Sequence, residues 1–199
     1  MVSRGLAKDW QFGIRPRSPV GVSAGGGIAQ EVALDSADRV LSLTLISTSP
    51  ATPSDHDLPP PTAEFGRFVA TAEVDRSNPE SVIDYLVDYS RILAGGERAF
   101  DEARVRELVR RDIERARDFA AVQTHNLMSH GEGSPKPLSS VTAPTLVIHG
   151  TADPMFPIEH GEALAEEIPG ARLLRLEGAG HGVDRADWEV VVEANLEHT

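Results

Sequence analysis

The chain has 199 residues, with 31 acidic against 19 Lys and Arg, and a formal net charge of −12. That length fits one domain, or one domain carrying an insertion, and 40% apolar with 25% charged residues is a globular composition rather than a disordered one. The absence of cysteine excludes disulfides, thiolate metal sites and cysteine nucleophiles, the acidic balance argues against nucleic acid or an anionic membrane surface as a partner, and no apolar run approaches the ~18 residues of a membrane span.

Met1 to Lys8 lack the apolar core of a signal peptide, so a cytoplasmic protein is expected. Val20-Gly21-Val22 leads into Ser23-Ala24-Gly25-Gly26-Gly27, and Ile28, Ala29, Val32 and Ala33 follow at helical spacing. Asp35 to Asp38 ends that helix. Val40 to Ile46 reads as a strand buried on both faces, as in a parallel sheet. Strand, tight turn, helix and strand make a βαβ unit.

Pro50, Pro53 and Pro59-Pro60-Pro61 form a stiff linker. Ser77 and Glu80 predict a capping box for a helix from Asn78 to Leu93, stopped by Gly95-Gly96. A second helix is predicted from Asp101 to about Gln123. Val105, Leu108, Val109 and Ile113 form its apolar face, and interleaved arginines and acids form a solvated one. Gly131, Gly133, Pro135 and Pro137 make another linker. Residues 51–140 are therefore expected to be an inserted helical cap, and residues 1–50 with 141–199 the core.

Thr145 to His149 is a short apolar strand, and Pro157 starts a helix that stops at Pro169-Gly170. Arg172 to Leu176 is the next strand, Gly178 to Gly182 a loop, and Val183 to about Glu197 the last helix. The pattern is α/β.

Gly21-Val22-Ser23-Ala24-Gly25 matches G-x-S-x-G between a strand and a helix. A turn that tight demands small residues around the serine and pushes its hydroxyl outward. The alternative is a plain glycine-rich turn in which Ser23 caps the helix. A serine at neutral pH needs a base, and the base needs an orienting group. Asp153 and His181 each follow a strand end, on the sheet edge where ligands of open α/β sheets bind. Asp153 as a helix cap and His181 as an exposed loop histidine are the bland readings of each alone. The remaining histidines (His56, His125, His130, His149, His160 and His198) lack the carboxylate cluster of a metal site.

With Ala143-Pro144-Thr145-Leu146-Val147-Ile148-His149-Gly150 before Asp153-Pro154, and Glu177-Gly178-Ala179-Gly180-His181 after the next strand, the chain resembles the α/β-hydrolase superfamily. The resemblance is close over 21–50 and 141–199 and looser between. It implies a parallel α/β-hydrolase sheet with an inserted helical cap. Ser23 would be the nucleophile, Asp153 the acid, His181 the general base and the Ala24 N–H an oxyanion donor. A serine nucleophile points to esterase, methylesterase, lactonase or carbon–carbon bond hydrolase chemistry. The expected substrate is a small ester-like molecule, and no cofactor or metal is expected.

The chain also departs from that family. Ser23 stands close to the start, where the family has several strands and a second oxyanion donor, so the elbow strand would have an uncovered edge open to self-association. Pro16 and Pro19 make a central strand improbable there. A second expectation is therefore a truncated, non-catalytic remnant or interaction protein, from a shortened reading frame, a degraded copy or half of a two-chain protein.

Overall fold

The computed structural model describes residues 15–116 and 136–199. Four parallel strands, β1 (Val20–Val22), β2 (Leu43–Ile46), β3 (Thr145–Gly150) and β4 (Arg172–Leu176), lie side by side in chain order. Parallel neighbours need crossovers. Helix α1 (Ala24–Asp35) joins β1 to β2, and α5 (Ile158–Glu167) joins β3 to β4. Between β2 and β3 come α2 (Ala63–Thr71), α3 (Pro79–Leu93) and α4 (Glu102–Arg115), and α6 (Trp188–His198) ends the chain.

The two-residue period of a strand divides the core between the sheet faces. Leu43, Leu45 and Val147 pack with Ala29, Ala33, Leu164 and Ile168 of α1 and α5. Ile46, Leu146 and Ile148 pack with Ala194 of α6. On that second face the Thr44 hydroxyl donates to Asn195 Oδ1 (2.8 Å). β2 and β3 are buried throughout, as strands covered on both faces must be.

Several boundaries differ from expectation. The strand expected over Val40–Ile46 begins at Leu43, and Val40 makes only an isolated bridge to Arg17. Pro19 is the reason: it accepts from Thr44 N (3.0 Å) but has no N–H to continue the ladder. β1 then starts at Val20, as the edge strand among the described residues, so the prolines precede it instead of interrupting it.

Helix α3 is capped by Asn78, whose side chain accepts from Glu80 N, not by Ser77. Ser77 is drawn back instead, through its N–H and hydroxyl, onto Asp75 Oδ1. Helix α4 ends at Arg115, where Ala116 turns extended, and the rest of the span to Gln123 lies outside the described residues. Its apolar face is half-exposed rather than buried, with Leu108 in solvent. Its arginines do form ion pairs: Arg106 with Asp84 (2.6 Å) and Arg110 with Glu80 (3.2 Å), which tie α4 to α3. Pro157 is the cap of α5, not its first residue, and the last helix starts at Trp188 after a 3₁₀ turn over Arg185–Asp187.

Candidate active site

Three strand ends meet at the carboxyl edge of the sheet. Ser23 follows β1 directly, with φ 51° and ψ −122°. A residue with a Cβ rarely takes that conformation, which costs ~1–3 kcal/mol. The surroundings enforce it. Ser23 N donates to Ile46 O (2.9 Å), and Ser23 O accepts from Gly26 N (2.8 Å) and from the Thr48 hydroxyl (2.8 Å). Gly21 leaves the space the turn needs, since a Cβ there would lie 2.4 Å from Gly25 O. Ser23 occupies the N-cap position of α1 but makes no side-chain cap bond. Its hydroxyl is therefore not committed to the helix, as the plain-cap reading requires. Ala24 is the exposed first residue of α1.

Asp153 lies past the end of β3 with a fully buried carboxylate. Its Oδ1 accepts from Met155 N and Phe156 N (2.9 Å each), and its Oδ2 accepts from His181 Nδ1 (2.8 Å). Asp153 thus both closes the turn after β3 and orients the histidine. A proton on Nδ1 leaves Nε2 with a lone pair, the tautomer a general base needs. The His181 N–H donates to Leu93 O at the end of α3 (2.7 Å).

Asp153 and His181 are in contact. Ser23 Oγ and His181 form no hydrogen bond among the described residues. The link between them is the end of β2 and the segment after it. Ile46 O holds Ser23 N, Ser47 Oγ accepts from Gly182 N (2.9 Å), and Thr48 holds Ser23 O. Ser47, itself at φ 45° and buried, and Thr48 are site residues that sequence reasoning missed. Their signal was the polar run Ser47-Thr48-Ser49 straight after a buried strand.

His149 is buried beneath the acid turn. Its Nε2 donates to Phe156 O (2.7 Å) and stands 3.6 Å from Asp153 Oδ2, while Nδ1 has no partner. Burial holds its pKa below the usual histidine value, outweighing the pull of Phe156 O and the Asp153 charge. His160 is structural, contacting Ser49 Oγ and Pro59 O (2.9 Å each). His125 and His130 lie outside the described residues. Among the described residues no group of three or more His, Asp or Glu could hold a metal.

A family model of the alpha/beta hydrolase fold matches residues 11–183. The chain belongs to the α/β-hydrolase family. Rhodomycin D methylesterase DnrP of Streptomyces peucetius is 31% identical over 211 residues, covering 96% of this chain and 68% of its own length. The pimeloyl-[acyl-carrier protein] methyl ester esterase of Nitrosomonas europaea is 28% identical over 177 residues, covering 82% of this chain and 64% of its own. The solved 2-hydroxy-6-oxo-6-phenylhexa-2,4-dienoate hydrolase of Rhodococcus sp. strain RHA1 superposes with a TM-score of 0.67 at 20% identity, covering 94% of this chain and 65% of that one. This α/β hydrolase thus spans about two thirds of the length of the proteins it resembles.

Proposed function

We propose that this α/β hydrolase cleaves a small carboxylic ester, a methyl ester before a lactone, through an acyl-enzyme on Ser23. The buried Asp153–His181 pair carries the reading (2.8 Å), because it sits at the same sheet edge as a serine held in a left-handed turn. Ser23 Oγ attacks the ester carbonyl carbon while His181 Nε2 takes the hydroxyl proton. Asp153 stabilises the imidazolium without itself taking the proton. The Ala24 N–H donates to the developing oxyanion. The C–O bond then breaks, and the alcohol leaves with the proton from His181. Water attacks the acyl-enzyme with His181 again as base, releasing the acid and the free serine. The balance needs no cofactor. The methylesterase relatives support a methyl ester, and the helices between β2 and β3 would act as a cap that selects its acyl part.

No described helix is long and apolar enough to cross a membrane; a cytoplasmic location belongs to this proposal. So does self-association through β1, whose Val20 and Val22 face solvent. A second reading, a non-catalytic remnant, is favoured by the position of β1 at the sheet edge and by the absence of a Ser23–His181 hydrogen bond, both among the described residues.

Intact mass after exposure to a fluorophosphonate separates the two. The expected result is a single adduct that Ser23→Ala abolishes and Asp153→Asn slows by a factor on the order of 10⁴. A folded protein that takes no adduct is the remnant.

A further inference from the structure

The loop that carries His181 leaves β4 at Leu176 and re-enters regular structure at the turn Arg185–Asp187. One side chain from outside the loop grips both of its ends. Arg98, just past α3, donates through Nε (2.9 Å) and also through Nη2 to Glu177 O, and through Nη1 to Asp187 Oδ2 (2.7 Å). The Asp187 side chain is 9% exposed and that of Arg98 27%, so the carboxylate end of the pair is shielded from water. Midway along the loop, Leu93 O holds the His181 N–H (2.7 Å). The contact is close enough to exclude a methyl group. A Cβ on Gly180 would lie 2.0 Å from Leu93 O, and one on Gly95 2.1 Å from Ala152 O in the acid turn.

We propose that Arg98 is a positioning residue for the general base, clamping both ends of the His181 loop to the segment Leu93–Arg98 so that the imidazole stays registered on Asp153. The inference rests on His181 being the base. Arg98 touches neither Asp153 nor Ser23 in this arrangement, so it acts only through the loop. The geometry calls for arginine. A planar fork of five donors spans a carbonyl and a carboxylate at once, whereas a lysine ammonium is a single point charge on a flexible stem. The helices inserted between β2 and β3 thereby become part of the seat of the base, not only a cover over the substrate.

The test compares wild type, Arg98→Ala and Arg98→Lys by amide hydrogen exchange over 177–187, by the downfield proton resonance of His181 Nδ1–H, and by the fluorophosphonate labelling rate. In Arg98→Ala, exchange in the loop should rise about tenfold or more, the scale of losing charge-assisted hydrogen bonds in a local opening. The downfield resonance should broaden away, and labelling should slow by about the same factor. Exchange in β3 should stay at the wild-type rate. Low, non-denaturing guanidinium should restore the resonance and the labelling in Arg98→Ala, and Arg98→Lys should not reach wild type. Wild-type exchange, resonance and labelling in Arg98→Ala would overturn the proposal, as would faster exchange with the resonance retained. If Arg98→Ala is unfolded, Asp187→Asn removes one arm of the clamp and is read the same way. Exchange and the resonance need no turnover, so a wild type that takes no label defeats the esterase reading while the clamp is still judged.

Discussion

Ser23 is held where a residue with a Cβ is strained (φ 51°), and its side chain makes no cap bond to the helix that follows. The strain has a stability consequence. Ser23→Gly removes the Cβ clash and should stabilise the fold by ~1 kcal/mol relative to Ser23→Ala, measured by urea unfolding. An equal or lower stability of the glycine variant would mean that the turn is relaxed. His149 carries a second consequence. Its pKa is depressed by burial, so below its ordinary value near ~6.5 the unfolded chain takes up a proton that the folded chain refuses. Stability from this group is complete above about pH 6.5 and falls as the pH drops, by at most ~1.4 kcal/mol per pH unit. His149→Gln keeps a donor for Phe156 O but cannot titrate. Its thermal midpoint should decline less steeply than that of wild type between about pH 6.5 and 5. Parallel curves would show that His149 does not govern the acid limb.

At the scale of elements, the caps differ from the residues the sequence pattern favours. Ser77 and Glu80 have capping-box spacing, yet Asp75 captures Ser77 and Asn78 takes the cap. Asn78→Ala should destabilise the protein by ~1 kcal/mol, whereas Ser77→Ala should change little, both read from urea midpoints. A larger loss at Ser77 would restore the capping box. The cost at Asn78 bears on the site, because α3 ends at Leu93, whose carbonyl holds the His181 N–H. An aromatic group, Phe65, Phe68, Tyr85 and Tyr89, fixes α2 on α3. Phe65 and Phe68 meet Tyr85 and Tyr89 across two helices, so the pairing leaves no local pattern in the sequence. Helix α4 reads clearly as amphipathic, but its partner face is only half covered, so its apolar residues gave the helix and not its burial.

At the scale of the molecule, β1 is the edge strand of the sheet among the described residues. Val20 and Val22 pair with Thr44 and Ile46, on the face where α6 packs, and are 54% and 49% exposed. Ile28 and Val32 of α1, and Trp188, Val192 and Leu196 of α6, are exposed as well. An edge strand that carries exposed apolar side chains invites pairing. Analytical ultracentrifugation should show a concentration-dependent rise in mass that Val20→Lys/Val22→Lys abolishes. A monomer at all concentrations would mean that the edge is tolerated uncovered. The same double variant should leave the Asp153–His181 contact intact, since that contact lies two strands away in the sheet.

The sequence by itself determined the βαβ order, the serine turn and the strand ends that carry Asp153 and His181. Each of these is local: glycine spacing, apolar period and strand-end position are written in neighbouring residues. Tertiary structure decided what depends on distant partners. Pro19 moved the start of β2 because a ladder bond needs both strands. Ser47 and Thr48 joined the site because β2 lies between β1 and β3. Arg98 met Glu177 and Asp187 because α3 runs to the histidine loop. Hydrogen bonds across such separations in the chain leave no periodicity behind, so only the folded arrangement could assign them.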